Sequence, residues 1–169
     1  MKITGLLLTA ASFIFFALVR LKIFKDRIQI IQRTLQFIQS IKRELAAEPV
    51  PMPEMFYNIS KKLGSGENAI FLKLSEDMEM LGEKSFYEIW KSNIPEFFPG
   101  LLEDEEYEII KLGSSLGLYA VEIQIENITR CEIYLAEIMQ KEKEAYPQIH
   151  KLYMGLSAAA AAALIIVFI

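Results

Sequence analysis

The chain has 169 residues, of which 53% are apolar, and a formal net charge of −4. A single cysteine and a single histidine exclude a disulfide scaffold and leave little room for a metal centre or a nucleophilic active site. The composition also excludes collagen-like and disordered chains. Charged residues are absent from residues 3–19 and 152–169, so a polar middle is flanked by two apolar segments.

Both apolar segments are predicted to be membrane-spanning helices. At a rise of about 1.5 Å per residue each covers about 26 Å, close to the hydrocarbon thickness of about 30 Å. The first also has the length of a secretory signal peptide, but basic residues follow it instead of a cleavage pattern. The second contains Ala158–Ala163, so a packed terminal helix is its alternative. The predicted organisation is a span over 1–19, a helical domain over 20–151 and a span over 152–169.

The basic residues near the two segments predict which side of the membrane the middle occupies. Arg20, Lys22 and Lys25 follow the first segment, and Lys151 directly precedes the second, whereas Lys2 is the only basic residue on the other side. This distribution predicts that residues 20–151 are cytoplasmic and that both termini point outward. The same side chains can meet anionic lipid headgroups. They form no basic stripe interleaved with aromatic residues, so we expect no binding of nucleic acid.

Helical periodicity dominates the chain between the apolar segments. The first helix is predicted to run without interruption from the first span to about Ala47, where a proline-rich stretch over 48–53 ends it. Its apolar stripe consists of Phe24, Ile28, Ile31, Leu35, Ile38, Ile41 and Leu45. The last helix is predicted to begin near Tyr119 and to continue into the second span, with a kink near Lys143, about one turn before Pro147.

Four shorter helices are predicted between these two long ones. They cover residues 54–63, 67–81, 85–94 and 101–116, and glycine or proline residues end each of them. Pro95 is expected to break the third. Alternating apolar patterns bounded by hairpin turns do not occur, so no strand is predicted. The predicted fold class is all-α: a cytoplasmic bundle of about six helices between two transmembrane helices.

Candidate chemical sites are few. His150 has no companion ligand, and Cys131 follows Arg130, which could lower a thiol pKa, but no Cys/His arrangement accompanies it. The stretch from Gly113 to Gly117 lacks the features of a phosphate-binding loop. Trp90 and the pair Phe97-Phe98 are interpreted as core residues. We therefore predict no catalytic residue, no metal, no cofactor and no small-molecule substrate.

An acidic run opens the helix predicted at 101–116. It consists of Glu103, Asp104, Glu105 and Glu106, which suit the positive end of a helix dipole. Because neighbouring helical residues point in different directions, these acids do not form a pair for acid–base chemistry. Two interpretations remain: a solvated first turn, or a docking surface for a basic partner.

The order of these features resembles the stage III sporulation protein AB family. The resemblance rests on Trp90, the acidic run, the sequence Leu112-Gly113-Ser114-Ser115-Leu116-Gly117, and Gln124, between two terminal apolar segments. Gly113, Leu116, Gly117, Gln124 and Trp90 are the motif residues that it marks. The family often carries an aspartate three residues after the second motif glycine, where this chain has Ala120. A capping or contact role for that acid therefore does not transfer.

The resemblance implies a non-enzymatic scaffold in endospore formation. Family members are membrane components of the channel complex between mother cell and forespore, and resemble the inner-membrane platform protein of type II secretion. The implied location is the mother-cell membrane facing the forespore. The implied partners are a secretion ATPase-like AA protein and other membrane proteins of the stage III A operon. The alternative is a membrane-anchored helical adaptor or regulator that is unrelated to a secretion channel.

Overall fold

The computed structural model describes residues 2–47, 50–64 and 68–168, and the side chains of 11–47, 50–64, 68–163 and 166. The described residues form six α-helices and no β-strand. The helices are α1 (Lys2–Ala47), α2 (Met52–Lys62), α3 (Asn68–Asp77), α4 (Phe86–Phe97), α5 (Glu103–Gly113) and α6 (Val121–Phe168), with a 3₁₀ turn at Met78–Met80. The predicted all-α class is confirmed, and so is the continuation of the first and last helices into the two apolar segments.

Several predicted boundaries agree with local chemistry. Ser85 caps α4, because its hydroxyl accepts a hydrogen bond from the Glu88 amide while the Glu88 carboxylate accepts one from the Ser85 amide. Gly82 and Gly117 have positive φ angles of 113° and 76°, which glycine adopts without steric cost. The predicted stops at 48–49 and 65–66 lie outside the described residues.

The expectation that Pro95 breaks α4 is wrong. The helix includes Pro95 and continues to Phe97. A proline at this position removes the hydrogen bond to the carbonyl of Lys91, four residues earlier. The next turn still closes, because the Phe98 amide donates to the Ile94 carbonyl oxygen at 3.1 Å, so one missing bond near the end of the helix is tolerated.

The chain divides into two units. We call Ile30–Ile138 the helical unit, and Met1–Gln29 together with Met139–Ile169 the terminal unit. The predicted division at residues 20 and 151 stays a prediction, because both long helices continue through those positions.

An aromatic cluster forms the core of the helical unit. Phe37 of α1 lies with its ring centroid 4.9 Å from that of Phe71, 5.6 Å from that of Trp90 and 5.2 Å from that of Phe98. These partners come from α3, from α4 and from the residue that follows α4. The stripe predicted for α1 is buried here from Ile31 to Leu45. Phe37 is therefore the point at which α1, α3 and α4 meet.

In the terminal unit, most of the large apolar side chains that the structure describes are exposed, and the buried side chains are those of Ala17, Leu21 and Ser157. Ala17 and Ser157 are buried, and the Ser157 hydroxyl donates to the Phe13 carbonyl oxygen at 3.2 Å. Phe15, by contrast, is 69% exposed and Ile166 is 79% exposed. Among the residues that the structure describes, no helix is long and apolar enough to cross a membrane. Met1, Ile169 and the side chains of 2–10, 164, 165, 167 and 168, which the predicted spans include, lie outside that description.

The Phe37 cluster generates a stability prediction. Phe37→Ala should lower the free energy of unfolding by about 3–5 kcal/mol, because it leaves a cavity among three aromatic rings. Denaturant unfolding followed by the fluorescence of Trp90, the only tryptophan, measures this directly. Tyr57→Ala is the control, since Tyr57 is exposed, and it should change the value by less than about 0.5 kcal/mol. Equal effects of the two substitutions would contradict the assignment of Phe37 to the core.

Candidate functional site

Trp90 and Gly113 meet where α4 packs against α5. The Trp90 ring is fully buried, and its Nε1 donates to the Ile109 carbonyl oxygen at 2.8 Å. A methyl group at Gly113 would overlap the indole, since a Cβ built there lies only 2.8 Å from Nε1 and still closer to two ring carbons. The glycine is required because the two helices approach so closely. The prediction that Trp90 is a core residue is confirmed.

The turn after α5 is held by Gln124. Its carboxamide oxygen accepts from the Gly117 amide at 3.1 Å, and its nitrogen donates to the Tyr119 carbonyl oxygen at 2.6 Å. Gln124 is itself buried, and Leu116 anchors the same turn in the core. The structure thus brings Gly117, Leu116 and Gln124 together in one element, next to the contact between Trp90 and Gly113.

These contacts explain how α6 can begin at a position that has no capping side chain. The helix begins at Val121, two residues later than predicted. Ala120 directly precedes it, and the amides of Ile123 and Gln124 both donate to the Ala120 carbonyl oxygen. An alanine side chain cannot accept from the first turn as aspartate can. Gln124 instead holds the turn that precedes Ala120, through its hydrogen bonds to Gly117 and Tyr119.

The acidic run at the start of α5 does not act as one surface. Glu103 and Asp104 are exposed and Glu106 is half-buried, whereas Glu105 is only 2% exposed. Its Oε2 accepts from the Leu102 amide at 2.9 Å, so Glu105 closes the first turn of the helix. A docking surface can therefore include Glu103, Asp104 and Glu106, with the exposed Tyr107, but not Glu105.

The acids of α5 also act on a side chain of α6. The pKa of Tyr134 is raised, first by burial and then by the carboxylates of Glu105, Asp104 and Glu108. A negative potential at α5 disfavours the phenolate, which explains the direction. The acidic end of α5 therefore lies beside α6 in the helical unit.

Cys131 is not an activated thiol. Burial raises its pKa to about 12, and the carboxylate of Glu108 acts in the same direction. Arg130, which could have lowered it, forms an ion pair with Glu126 at 3.1 Å. The part of the chain that the structure describes holds no group of His, Cys, Asp and Glu residues suited to a metal ion. His150 lies in the terminal unit with its ring centroid 6.0 Å from that of Tyr146.

Sequence reasoning missed two features. The capping role of Glu105 had a signal, because glutamate three residues after a helix-preceding residue is a capping pattern. The second is a pocket beside Arg33, whose walls come from α1, α3 and the end of α4. No sequence signal could have found it, since its residues are far apart along the chain.

The Trp90–Gly113 contact can be tested by a single methyl group. Gly113→Ala should destabilise the helical unit by about 1–3 kcal/mol, because α4 and α5 must separate or the indole must leave its rotamer. Gly64→Ala is the matched control, since a Cβ there meets nothing within 4 Å. Unfolding followed by Trp90 fluorescence measures both variants. If Gly113→Ala left both the free energy of unfolding and the Trp90 emission spectrum unchanged, the close approach of α4 and α5 would be refuted.

No curated protein sequence matches the chain, and no solved structure matches it. The family model for stage III sporulation protein AB matches residues 2–169, which is almost the whole chain. The motif residues that suggested this resemblance are those that build the turn and the α4–α5 contact. The chain therefore belongs to the stage III sporulation protein AB family.

Proposed function

We propose that this protein is a non-enzymatic membrane scaffold of the channel complex between mother cell and forespore, and that its helical unit docks a cytoplasmic secretion-type ATPase. Its membership of a sporulation family carries this proposal. The motif side chains support the absence of catalysis, because each is used to hold backbone in place. Trp90 bonds to Ile109, and Gln124 bonds to Gly117 and Tyr119.

The packing of the terminal unit supports two membrane spans, at 1–19 and 152–169. Helices pack in lipid through small residues and expose large apolar side chains to the acyl chains. Ala17 and Ser157 are buried together with Leu21, while Phe15, Leu156 and Ile166 are exposed. A water-soluble helix pair would bury most of its large apolar side chains instead.

Aromatic and basic side chains at the end of the first proposed span suit a membrane interface. Arg20 lies over the ring of Phe16 at 5.4 Å, and Lys25 lies over the ring of Tyr146 at 5.8 Å. Basic residues at this position favour an inward orientation and contact with anionic headgroups. We infer that the helical unit faces the cytoplasm of the mother cell, in the membrane that faces the forespore.

The proposed docking surface lies at the start of α5. It combines the carboxylates of Glu103, Asp104 and Glu106 with the apolar side chains of Leu102 and Tyr107, both of which are more than half exposed. Exposed apolar groups among like charges are typical of an interface with a partner of opposite charge. The partner that we propose is the ATPase-like AA protein, while the spans contact other membrane proteins of the stage III A operon.

The alternative, a generic adaptor that pairs through a coiled coil, is less well supported. It needs a free apolar stripe on α1 or α6. In the helical unit the α1 stripe is buried from Ile31 to Leu45, and Ile128 and Leu135 of α6 are buried as well. These apolar residues therefore pack inside the helical unit and do not form the free stripe that a coiled coil with another chain needs.

Deletion of the gene in its host tests the proposed function. We expect the number of heat-resistant spores to collapse, together with a late forespore transcription reporter, while engulfment is completed. When the deletion strain is complemented with the Gly113→Ala variant, the spore count and the reporter activity should recover only in proportion to the amount of this variant that accumulates in the cell. Normal spore counts and reporter activity in the deletion strain would reject the channel role and favour the adaptor.

Charge reversal tests the docking surface separately. Glu103→Lys, Asp104→Lys and Glu106→Lys together should weaken binding of the AA protein about 10-fold or more, because three rim charges change from attraction to repulsion. Binding is measured by calorimetry with full-length protein in nanodiscs. The control variant reverses three other exposed acids, Glu54, Glu122 and Glu137. Undiminished binding by the first variant, or equal losses in both, would remove this surface from consideration.

A further inference from the structure

The pocket beside Arg33 has an aromatic floor and a polar rim. Phe37, Phe71 and Phe98 are buried and form its floor, the half-buried Phe97 forms a wall, and Arg33 and Gln36 stand at its exposed edge. Its volume is about 120 Å³. An apolar cavity of about 150 Å³ can hold a benzene molecule. This pocket is therefore large enough for one leucine or methionine side chain.

The rim of the pocket is positively charged. No side chain in the described part of the chain forms an ion pair with Arg33. Arg43, one helical turn beyond Ser40, donates to the Ser40 hydroxyl at 3.0 Å, and Ser40 also lines the pocket. An occupant with an apolar side chain would pack against the aromatic floor of the pocket. A carboxylate next to that side chain would form an ion pair with Arg33.

The turn between α3 and α4 has this complementary chemistry. We call Glu79–Glu83 the Leu81 turn. Met80 and Leu81 are 42% and 43% exposed, and both Glu79 and Glu83 are exposed beside them. The Leu81 amide donates to the Met78 carbonyl oxygen at 3.0 Å, and the Glu83 amide donates to that of Met80 at 3.1 Å. The turn is thus fixed before any contact, which lowers the entropy lost on binding.

The pocket and the Leu81 turn lie at opposite ends of the same pair of helices. Phe71 lies near the start of α3, and Phe97 and Phe98 lie at the end of α4, whereas the Leu81 turn joins the end of α3 to the start of α4. Ten residues separate Phe71 from Leu81, which corresponds to about 15 Å along a helix. One copy of the chain therefore cannot insert its own turn into its own pocket.

We propose that the helical units of two copies associate head to tail, with Leu81 of one copy in the pocket of the next and its flanking glutamates beside Arg33. The contact joins two different surfaces, so it is heterologous and leaves a free pocket at one end and a free turn at the other. Further copies can add at both ends, which gives a ring or an open row. The contact uses none of the acids proposed to dock the ATPase.

The test is self-association of the full chain in detergent micelles, followed by sedimentation over about 1–100 µM. The wild type should gain mass with concentration beyond a dimer. Arg33→Glu in the pocket, and Met80→Ser with Leu81→Ser in the turn, should each weaken association about 10-fold or more, as expected for central interface residues. The controls are Lys91→Glu and Ile133→Ser, which alter an exposed cation and an exposed apolar residue elsewhere.

A mixture of the two defective variants gives the decisive result. Arg33→Glu protein keeps a normal turn, and the double serine variant keeps a normal pocket. Mixed in equal amounts, they should form a heterodimer that does not grow further. A wild type that stays monomeric, association unaffected by either variant, or a mixture without heterodimer would overturn the proposal. Native Trp90 fluorescence in every variant shows that a loss of association is not a loss of fold.

Discussion

The contact between Trp90 and Gly113 is the constraint on which most of the helical unit depends. On one side, the indole Nε1 donates to the Ile109 carbonyl oxygen, and the ring lies directly against Gly113, where any side chain would overlap it. On its other sides it meets Phe37 at 5.6 Å and Phe86 at 5.8 Å between ring centroids. A single side chain therefore sets the distances of both α1 and α5 from α4. Since the turn that starts α6 follows Gly113 directly, its position depends on the same contact.

Polar contacts add to this apolar framework where α1 meets α6. The Glu132 carboxylate accepts from Lys42 at 2.8 Å and from Gln39 at 2.9 Å. Its pKa is lowered, mainly by the hydrogen bond from Lys42, while partial burial acts in the opposite direction. A lowered carboxyl pKa stabilises the fold above the unfolded-state pKa, and this stabilisation is lost as pH falls through the folded-state value. Its size is modest, because water still reaches both side chains of the pair.

The sequence was most informative where one physical rule acts alone. The stripe from Ile31 to Leu45 predicted the buried face of one long helix, and the structure buries these residues along α1. Rules that compete were harder to apply. Pro95 looked like a helix breaker, but it removes only one hydrogen bond near the end of α4, and the helix continues to Phe97. The order of Trp90, Gly113, Gly117 and Gln124 indicated the family, but not that these residues meet around one turn. That result depends on how α4 and α5 pack, which no local pattern encodes.

The exposure pattern along α1 gives a further argument for the proposed membrane boundary. From Phe13 to Ile23 most large apolar side chains are exposed, whereas from Ile31 to Leu45 the apolar stripe is buried. The first part is also the more apolar, with 9 apolar residues among the 11 from Phe13 to Ile23 against 6 among the 15 from Ile31 to Leu45. The change falls just beyond Arg20, Lys22, Lys25 and Arg27, which are suited to a lipid headgroup layer. One continuous helix thus exposes its apolar side chains on one side of a basic segment and buries them on the other. This arrangement is expected if its two parts are solvated by lipid and by protein, respectively.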